Sequence, residues 1–158
     1  MIKRVLIVES DPKIADDMFS LFHSGSERFE RERYEPEIAE SFTDAVEQAQ
    51  TVNFHCIIMD ADLPEMTGYE AVPIMKTISK NTPIIITTDK NTLELETKAR
   101  EQNLYYYYVR SSNQSELKLV VGSVFENLEK ASLSREVDKA ATRPITLKQL
   151  RLFQKEEH

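Results

Sequence analysis

Residues 56–62 read Cys-Ile-Ile-Met-Asp-Ala-Asp, so that four apolar residues lead directly into a pair of acids. A continuous apolar run of this length is typical of a strand that is buried on both faces of a parallel sheet. The chain contains further runs of this kind at Val5–Val8, Ile84–Thr87 and Tyr105–Val109, with a weaker candidate at Tyr34–Ala39. We therefore predict five short strands.

The segments between these runs have the spacing of helices. Pro12 favours a helix start, because proline suits the first helical turn. Thr67 and Glu70 have the spacing of a capping box, although Pro73 implies that this third helix is kinked or starts late. Asn91 is the predicted cap of a fourth helix. The other two predicted helices cover residues 43–51 and a strongly amphipathic stretch with Leu117, Val120, Val121, Val124, Phe125 and Leu128.

Strand and helix alternate five times, which predicts an α/β fold with a doubly wound, five-stranded parallel sheet and helices on both faces. In such sheets the functional crevice lies beyond the carboxyl ends of the strands. Acids, hydroxyls and a cation follow these ends, and they are Glu9, Ser10, Asp11, Asp60, Asp62, Thr87, Thr88, Asp89 and Arg110.

These residue types point to a specific chemistry. Clustered carboxylates repel one another, and a hard divalent cation such as Mg²⁺ relieves that repulsion. A carboxylate beside Mg²⁺ can attack a phosphorus centre and form an aspartyl phosphate. A nearby hydroxyl and a cation can then hold the phosphoryl oxygens during transfer.

The composition restricts the class of protein. A net charge of −7 argues against binding of nucleic acid by this segment. Cys56 is the single cysteine, so no internal disulfide can form, and we interpret it as a small buried hydrophobe. No segment approaches the roughly 18 apolar residues that cross a bilayer. The apolar run near Met1 is too short for a signal peptide, so we expect a cytoplasmic protein that does not bind membranes.

Across residues 2 to 130 the sequence resembles the receiver domain of bacterial response regulators. Residues 5–12 resemble the first strand and acidic cluster of that family. Residues 60–68 keep the acceptor aspartate of its phosphoacceptor loop, together with Pro64, Met66 and Gly68. The resemblance implies a flavodoxin-like (βα)5 receiver domain over residues 1–131. Residues 132–158 would form a C-terminal extension that is partly helical.

The resemblance also implies roles for single residues. Asp60 would accept a phosphoryl group from a sensor histidine kinase or a phosphotransfer protein. Thr88 would be the switch hydroxyl, Tyr107 the switch aromatic, and Arg110 would stand where the family has a lysine. Phosphorylation would alter the surface of the fourth helix, fifth strand and fifth helix, where an output domain, a partner protein or a second copy would bind. Mg²⁺ would be held by Glu9, Ser10, Asp11, Asp60 and the carbonyl of Asp62.

Four residues depart from the family pattern. Ser10 replaces an acid that ligates Mg²⁺ directly, so we expect weakened or absent metal binding. Arg110 stands where the family has a lysine, so a planar guanidinium group replaces a compact ammonium group. Ser111 stands at a position that is usually a cis-proline, where a non-proline cis bond is costly. Asp89 adds bulk and charge beside the acceptor, at a position that is usually small.

Three functions remain open at the level of the sequence. The first is a phosphorylatable receiver, and the second is a pseudo-receiver that binds a partner without phosphorylation. The third is an enzyme, because Asp60 and Asp62 also match the paired-acid motif of haloacid-dehalogenase-like phosphatases. Those enzymes carry the motif near the chain start and need a later acidic pair, which we do not find here. We therefore expect a signalling module rather than an enzyme.

Overall fold

Five parallel strands form one sheet in this protein, as seen in a computed structural model that describes residues 2–23, 33–110 and 115–141. The strands are β1 (Ile2–Val8), β2 (Arg33–Ala39), β3 (Cys56–Asp60), β4 (Ile84–Thr88) and β5 (Tyr106–Val109). Their order across the sheet is β2-β1-β3-β4-β5. Because the order reverses beside β1, the carboxyl ends of β1 and β3 lie at the topological switch point, where α/β sheets bind ligands.

In the described part of the chain, five helices connect and follow the strands, and this arrangement confirms the predicted flavodoxin-like α/β fold. They are α1 (Pro12–His23), α2 (Phe42–Thr51), α3 (Gly68–Ile78), α4 (Leu93–Glu101) and α5 (Ser115–Ala141).

Short polar side chains fix where the helices begin. Oδ1 of Asp11 accepts hydrogen bonds from the amides of Lys13 (3.0 Å) and Ile14 (3.4 Å), so Pro12 occupies the first turn of α1 as predicted. Oγ1 of Thr67 accepts from the amide of Glu70 at 3.2 Å, which confirms Thr67 as a cap.

Of the two alternatives that Pro73 left open for the third helix, a late start is excluded, because α3 begins at Gly68 and includes Pro73. One predicted helix cap needs correction. The fourth helix is capped by Thr92 rather than Asn91, and the Thr92 hydroxyl accepts from the amide of Leu95 at 3.2 Å. Both residues can cap a helix, and the position of the first turn of α4 selects Thr92.

The centre of the sheet is fully buried, and this burial positions the functional residues. Every residue of β3 and β4 is buried, including the polar residues Asp60, Thr87 and Thr88 at their carboxyl ends. β5 is an edge strand, in which Tyr108 is buried and Tyr106 is exposed. The acids and hydroxyls at the ends of the apolar runs are therefore buried at the carboxyl ends of the central strands.

The chain divides into two units, the first of which ends at Val124 and the second of which begins at Phe125. Helix α5 continues to Ala141, and the predicted boundary after residue 131 stays a prediction. Ser111 and the tail beyond residue 141 lie outside the described residues. Within the described part of the chain, no helix has the length and apolar character needed to cross a bilayer.

Candidate functional site

Two buried carboxylates meet at the carboxyl ends of β1 and β3. Glu9 follows β1 directly and is 2% exposed, and Asp60 ends β3 and is 6% exposed. The two strands are neighbours, with Val8 in register with Met59, so the residues that follow lie side by side. Burial and the adjacent Asp60 carboxylate raise the pKa of Glu9 to about 8, against the opposing effect of Arg110. Burial of two neighbouring carboxylates is therefore unfavourable, and a positive charge beside them would offset it.

Arg110 brings a positive charge to both carboxylates. Its amide donates a 2.7 Å hydrogen bond to the carbonyl of Thr88, which places the side chain just beyond β5. The Nη1 atom lies 3.4 Å from Oδ1 of Asp60 and 3.7 Å from Oε2 of Glu9. The Nη2 atom lies 3.8 Å from Oδ1 of Asp89, which is mostly exposed. The guanidinium of Arg110 thus contacts both buried acids and the exposed Asp89.

The two threonines at the end of β4 have different surroundings. Thr87 pairs in register with Asp60, and its Oγ1 lies 3.4 Å from Nη1 of Arg110. The hydroxyl of Thr88 instead accepts from the amide of Lys90 and donates to its carbonyl, both at 3.1 Å. The structure therefore brings Thr87 into contact with Arg110, and the switch role of Thr88 stays a prediction.

The remaining predicted metal ligands lie nearer to solvent. Ser10 is half-buried, whereas Asp11 and Asp62 are exposed. Oδ1 of Asp11 is engaged in capping α1, as described above. Asp62 pairs through its backbone with Thr67 in an isolated bridge. Of the five predicted ligands, the structure brings Glu9 and Asp60 together in the interior.

The chemistry of this pair fits a hard cation. Oε2 of Glu9 is buried and, within the described residues, accepts no hydrogen bond. Mg²⁺ is commonly bound through one or two carboxylates and keeps several waters, which matches the pair of Glu9 and Asp60. Among the described residues, no group of three or more His, Cys, Asp or Glu side chains is arranged to hold a metal ion. The fit therefore rests on two carboxylates.

The loop after Asp60 folds back onto the strand end. The amide of Ala61 donates to the carbonyl of Thr87 at 2.8 Å, and the amide of Gly68 donates to the carbonyl of Ala61 at 2.8 Å. A Cβ atom on Gly68 would lie 2.6 Å from the backbone oxygen of Asp60, which is closer than real contacts allow. Glycine is therefore required at position 68 by this approach, in agreement with the loop motif.

Glu65 has a structural role that sequence reasoning missed. Its Oε1 accepts from the amide of Phe42 at 2.7 Å, and its Oε2 accepts from the amide and the hydroxyl of Thr43 at 3.1 and 2.6 Å. The hydrogen bonds from Thr43 and Phe42 lower the pKa of Glu65. No local pattern could reveal this contact, because 22 residues separate Thr43 from Glu65.

The predicted switch aromatic, Tyr107, lies in β5 and contacts the segment before α4. Tyr107 is half-buried, and its hydroxyl donates to Oδ1 of Asn91 at 3.5 Å. Tyr69 is buried near it, and burial followed by the proximity of Tyr107 raises the pKa of Tyr69. Directly before β5, the hydroxyl of Tyr105 lies 2.8 Å from that of Ser123 in α5.

Comparisons with known proteins agree with the fold and with the family resemblance of the sequence. The family model of the response regulator receiver domain matches residues 5–122. A CheY-like receiver domain protein from Methanospirillum hungatei is similar in structure, with a TM-score of 0.68, 23% identity, and coverage of 82% of this chain and 99% of that chain. The chemotaxis protein CheY4 of Vibrio cholerae matches with a TM-score of 0.64, 26% identity, and coverage of 78% and 99%.

A third structure carries ligands. The response regulator protein TrrA from Thermotoga maritima, in complex with Mg²⁺-BeF, matches with a TM-score of 0.61, 25% identity, and coverage of 77% of this chain and 98% of that chain. No curated protein matches the sequence of this chain.

Proposed function

Because this chain belongs to the response regulator receiver domain family of two-component signalling, we propose that it accepts a phosphoryl group on Asp60. One observation carries the proposal: the Asp60 carboxylate ends the central strand β3 beside Glu9, with Nη1 of Arg110 at 3.4 Å. A nucleophile, an acidic neighbour and a cation therefore share one protected edge of the sheet. The phosphoryl donor would be a sensor histidine kinase or a phosphotransfer protein.

The transfer reaction is a displacement at phosphorus. A carboxylate oxygen of Asp60 forms a new O–P bond while the P–N bond of a phosphohistidine breaks. The electron pair of that bond returns to the imidazole nitrogen, which takes up a proton. No oxidation or reduction is involved, and the product on this chain is an aspartyl phosphate.

The residues around Asp60 support this reaction in distinct ways. Nη1 of Arg110 already lies between Asp60 and Thr87, and a guanidinium can hold a phosphoryl oxygen through charge-assisted hydrogen bonds. Glu9 and Asp60, together with the carbonyl of Asp62, would hold Mg²⁺. The bound cation supplies positive charge that offsets the negative charge of the phosphoryl oxygens.

The signal would leave through the face formed by α4, β5 and the first turns of α5. Thr88 and Tyr107 would couple it to Asp60, as the family resemblance implies. This face carries the exposed apolar side chains of Leu93, Tyr106 and Leu119. Apolar and aromatic groups of this kind favour binding of another protein surface, which would be an output domain, a partner protein or a second copy.

Incubation with acetyl phosphate and Mg²⁺, followed by intact mass measurement, tests the proposal. We expect a gain of one phosphoryl group in the wild type and no gain in Asp60→Asn, which keeps the size of the side chain but removes the nucleophile. An equal gain in both proteins, or a gain in neither, would contradict the proposal.

A second function is favoured by the contacts of Arg110. Its guanidinium contacts Asp60 and Asp89 together, and Ser10 adds no charge to hold Mg²⁺. These features suit an interaction module that works without phosphorylation. Mg²⁺ with beryllofluoride separates the two functions: a receiver should shift the NMR signals of Tyr107 and α4, and Asp60→Asn should abolish that shift. An interaction module should show no shift and should bind its partner equally well as Asp60→Asn.

A further inference from the structure

Glu65 joins the loop that follows Asp60 to the N-terminus of α2 through three hydrogen bonds. We propose that Glu65 is a positioning residue that orients this loop, and with it the backbone carbonyl of Asp62, for binding of a divalent cation beside Asp60. The proposal deepens the function given above and rests on it. Glu65 itself would touch neither the cation nor the phosphoryl group.

Glu65 supplies hydrogen-bond acceptors for amides in the first turn of α2. The first amides of a helix have no partner within the helix. In α2, the amides of Phe42 and Thr43 donate to Glu65, and the amide of Asp44 donates to Oγ of Ser41 at 3.1 Å. A carboxylate at this end also complements the helix dipole. Glu65 thus makes charge-assisted hydrogen bonds, which are stronger and more directional than neutral ones.

The loop is attached at two separate places. At its base, Ala61 bonds to Thr87 and Gly68 bonds to Ala61. At its tip, Glu65 bonds to α2, whereas the neighbouring Pro64 is exposed. The base, which includes the backbone bridge between Asp62 and Thr67, holds the two ends of the loop close together. The contact of Glu65 with α2 fixes the outer part of the loop, and we infer that this contact also limits movement of the peptide that carries the Asp62 carbonyl.

We expect the fold to survive removal of the contact between Glu65 and α2. Glu65 is an exposed residue, and the loop keeps the buried side chain of Leu63 as an apolar anchor. Glu65→Gln preserves shape but loses the charge and presents an amide N–H toward the helix amides. Thr43→Ala removes only the hydroxyl donor. Glu70→Gln is the matched control, because Glu70 is an exposed acid in the first turn of α3 and its replacement removes the same charge nearby.

Amide hydrogen exchange without metal tests the attachment itself. We expect Glu65→Gln to speed exchange at the amides of Phe42 and Thr43 by about tenfold, since both donate hydrogen bonds to the charged Glu65 carboxylate. The amide of Gln102 at the end of α4 should exchange as in the wild type, because a local change leaves distant amides protected. Equal acceleration at Gln102 would show a general loss of stability and would overturn the positioning role. Exchange at the wild-type rate at every one of these amides would also overturn it.

Magnesium titration tests the consequence. Loss of a residue that orients a metal site typically weakens binding by about tenfold or more, and we expect about tenfold for Glu65→Gln and less for Thr43→Ala. Labelling of Asp60 by acetyl phosphate should slow at low Mg²⁺ and recover at saturating Mg²⁺. A Glu65→Gln affinity equal to that of Glu70→Gln would contradict the proposal.

The outcomes also separate this inference from the proposed function. If the wild type binds Mg²⁺ and Glu65→Gln weakens that binding, but Asp60 is never labelled, the positioning role stands and the phosphoacceptor role fails. If Asp60 is labelled, and the labelling depends on Mg²⁺ equally in the wild type and in Glu65→Gln, the phosphoacceptor role stands and the positioning role fails. If the wild type binds no Mg²⁺, the positioning role is overturned.

Discussion

The Nη1 atom of Arg110 lies 3.4 Å from Oδ1 of Asp60, so the chain places its own cation against its candidate phosphoacceptor. The same atom lies 3.7 Å from Oε2 of Glu9, and both carboxylates are buried. A buried pair of acids is costly without a counter-charge. Arg110 therefore stabilises the site before any ligand arrives, and under the proposed function it would contact phosphoryl oxygens later.

Removal of Arg110 should destabilise the protein. In Arg110→Ala, Glu9 and Asp60 lose their cation, and breaking a buried ion pair in this way typically costs about 3 kcal/mol of unfolding free energy. Urea unfolding in the absence of divalent cations measures the loss. Arg100→Ala is the control, because Arg100 forms an exposed pair with Glu96 in α4. Equal unfolding free energies for the two variants would contradict the proposed charge balance.

Much of the fold can be predicted from the sequence because apolar runs, which form buried strands, recur along the chain. The apolar runs at Val5–Val8, Cys56–Met59 and Ile84–Thr87 are the buried central strands, and the acids that follow them meet at one edge. Parallel pairing alone forces that meeting, so the proximity of Glu9 and Asp60 could be predicted.

Details that depend on one residue's register could not be predicted in this way. Asn91 and Thr92 are both good capping residues, and only the path of the chain after β4 selects Thr92. The position of Arg110 beside Thr87 depends on strand register. The contact between Glu65 and α2 joins distant segments, and the sequence carries no periodic signal for it.

Gly68 should not tolerate a side chain. The added Cβ of Gly68→Ala would lie 2.6 Å from the carbonyl oxygen of Asp60, so the backbone must shift, at a cost of about 1–3 kcal/mol. Gly122→Ala is the matched control, since among the described residues its Cβ would meet the Tyr34 hydroxyl alone, at 4.0 Å. Alanine within a helix should stabilise the control by about 0.5–1 kcal/mol. Thermal unfolding that ranks the two variants in the opposite order would refute the close approach.

His55 should make stability depend on pH. Its Nδ1 accepts a 3.1 Å hydrogen bond from the amide of Arg4, which requires a neutral imidazole. Burial and the charge of Arg4 lower the pKa of His55 below its ordinary value of 6.5. Below about pH 6.5 the unfolded chain therefore binds more protons than the folded chain, and the free energy of unfolding falls as pH decreases.

Replacement of His55 checks this dependence. The loss of stability between pH 7 and the acidic range should be smaller in His55→Gln, whose side-chain carbonyl can still accept from Arg4. His23→Gln replaces an exposed histidine at the end of α1 and should follow the wild-type pH curve. Parallel pH curves for all three proteins would show that His55 contributes nothing.

An acid at position 10 should strengthen cation binding. Ser10 follows Glu9 directly, and Ser10→Asp would add a third carboxylate near the pair of Glu9 and Asp60. We expect Mg²⁺ affinity to rise by about tenfold, since Mg²⁺ prefers charged oxygen ligands. Asn53→Asp adds the same charge before β3, at the opposite end of the sheet, and should leave calorimetric Mg²⁺ binding unchanged. A Ser10→Asp protein that binds no more tightly would argue against a cation site here.

Borohydride reduction after exposure to acetyl phosphate and Mg²⁺ tests the central claim most directly. The reagent converts an aspartyl phosphate to homoserine, so peptide mass mapping identifies the residue that carried the phosphoryl group. We predict homoserine at position 60, and none when Mg²⁺ is replaced by a chelator. Conversion at another acid such as Asp11 or Asp62, or no conversion at all, would contradict the assignment of Asp60 as the phosphoacceptor.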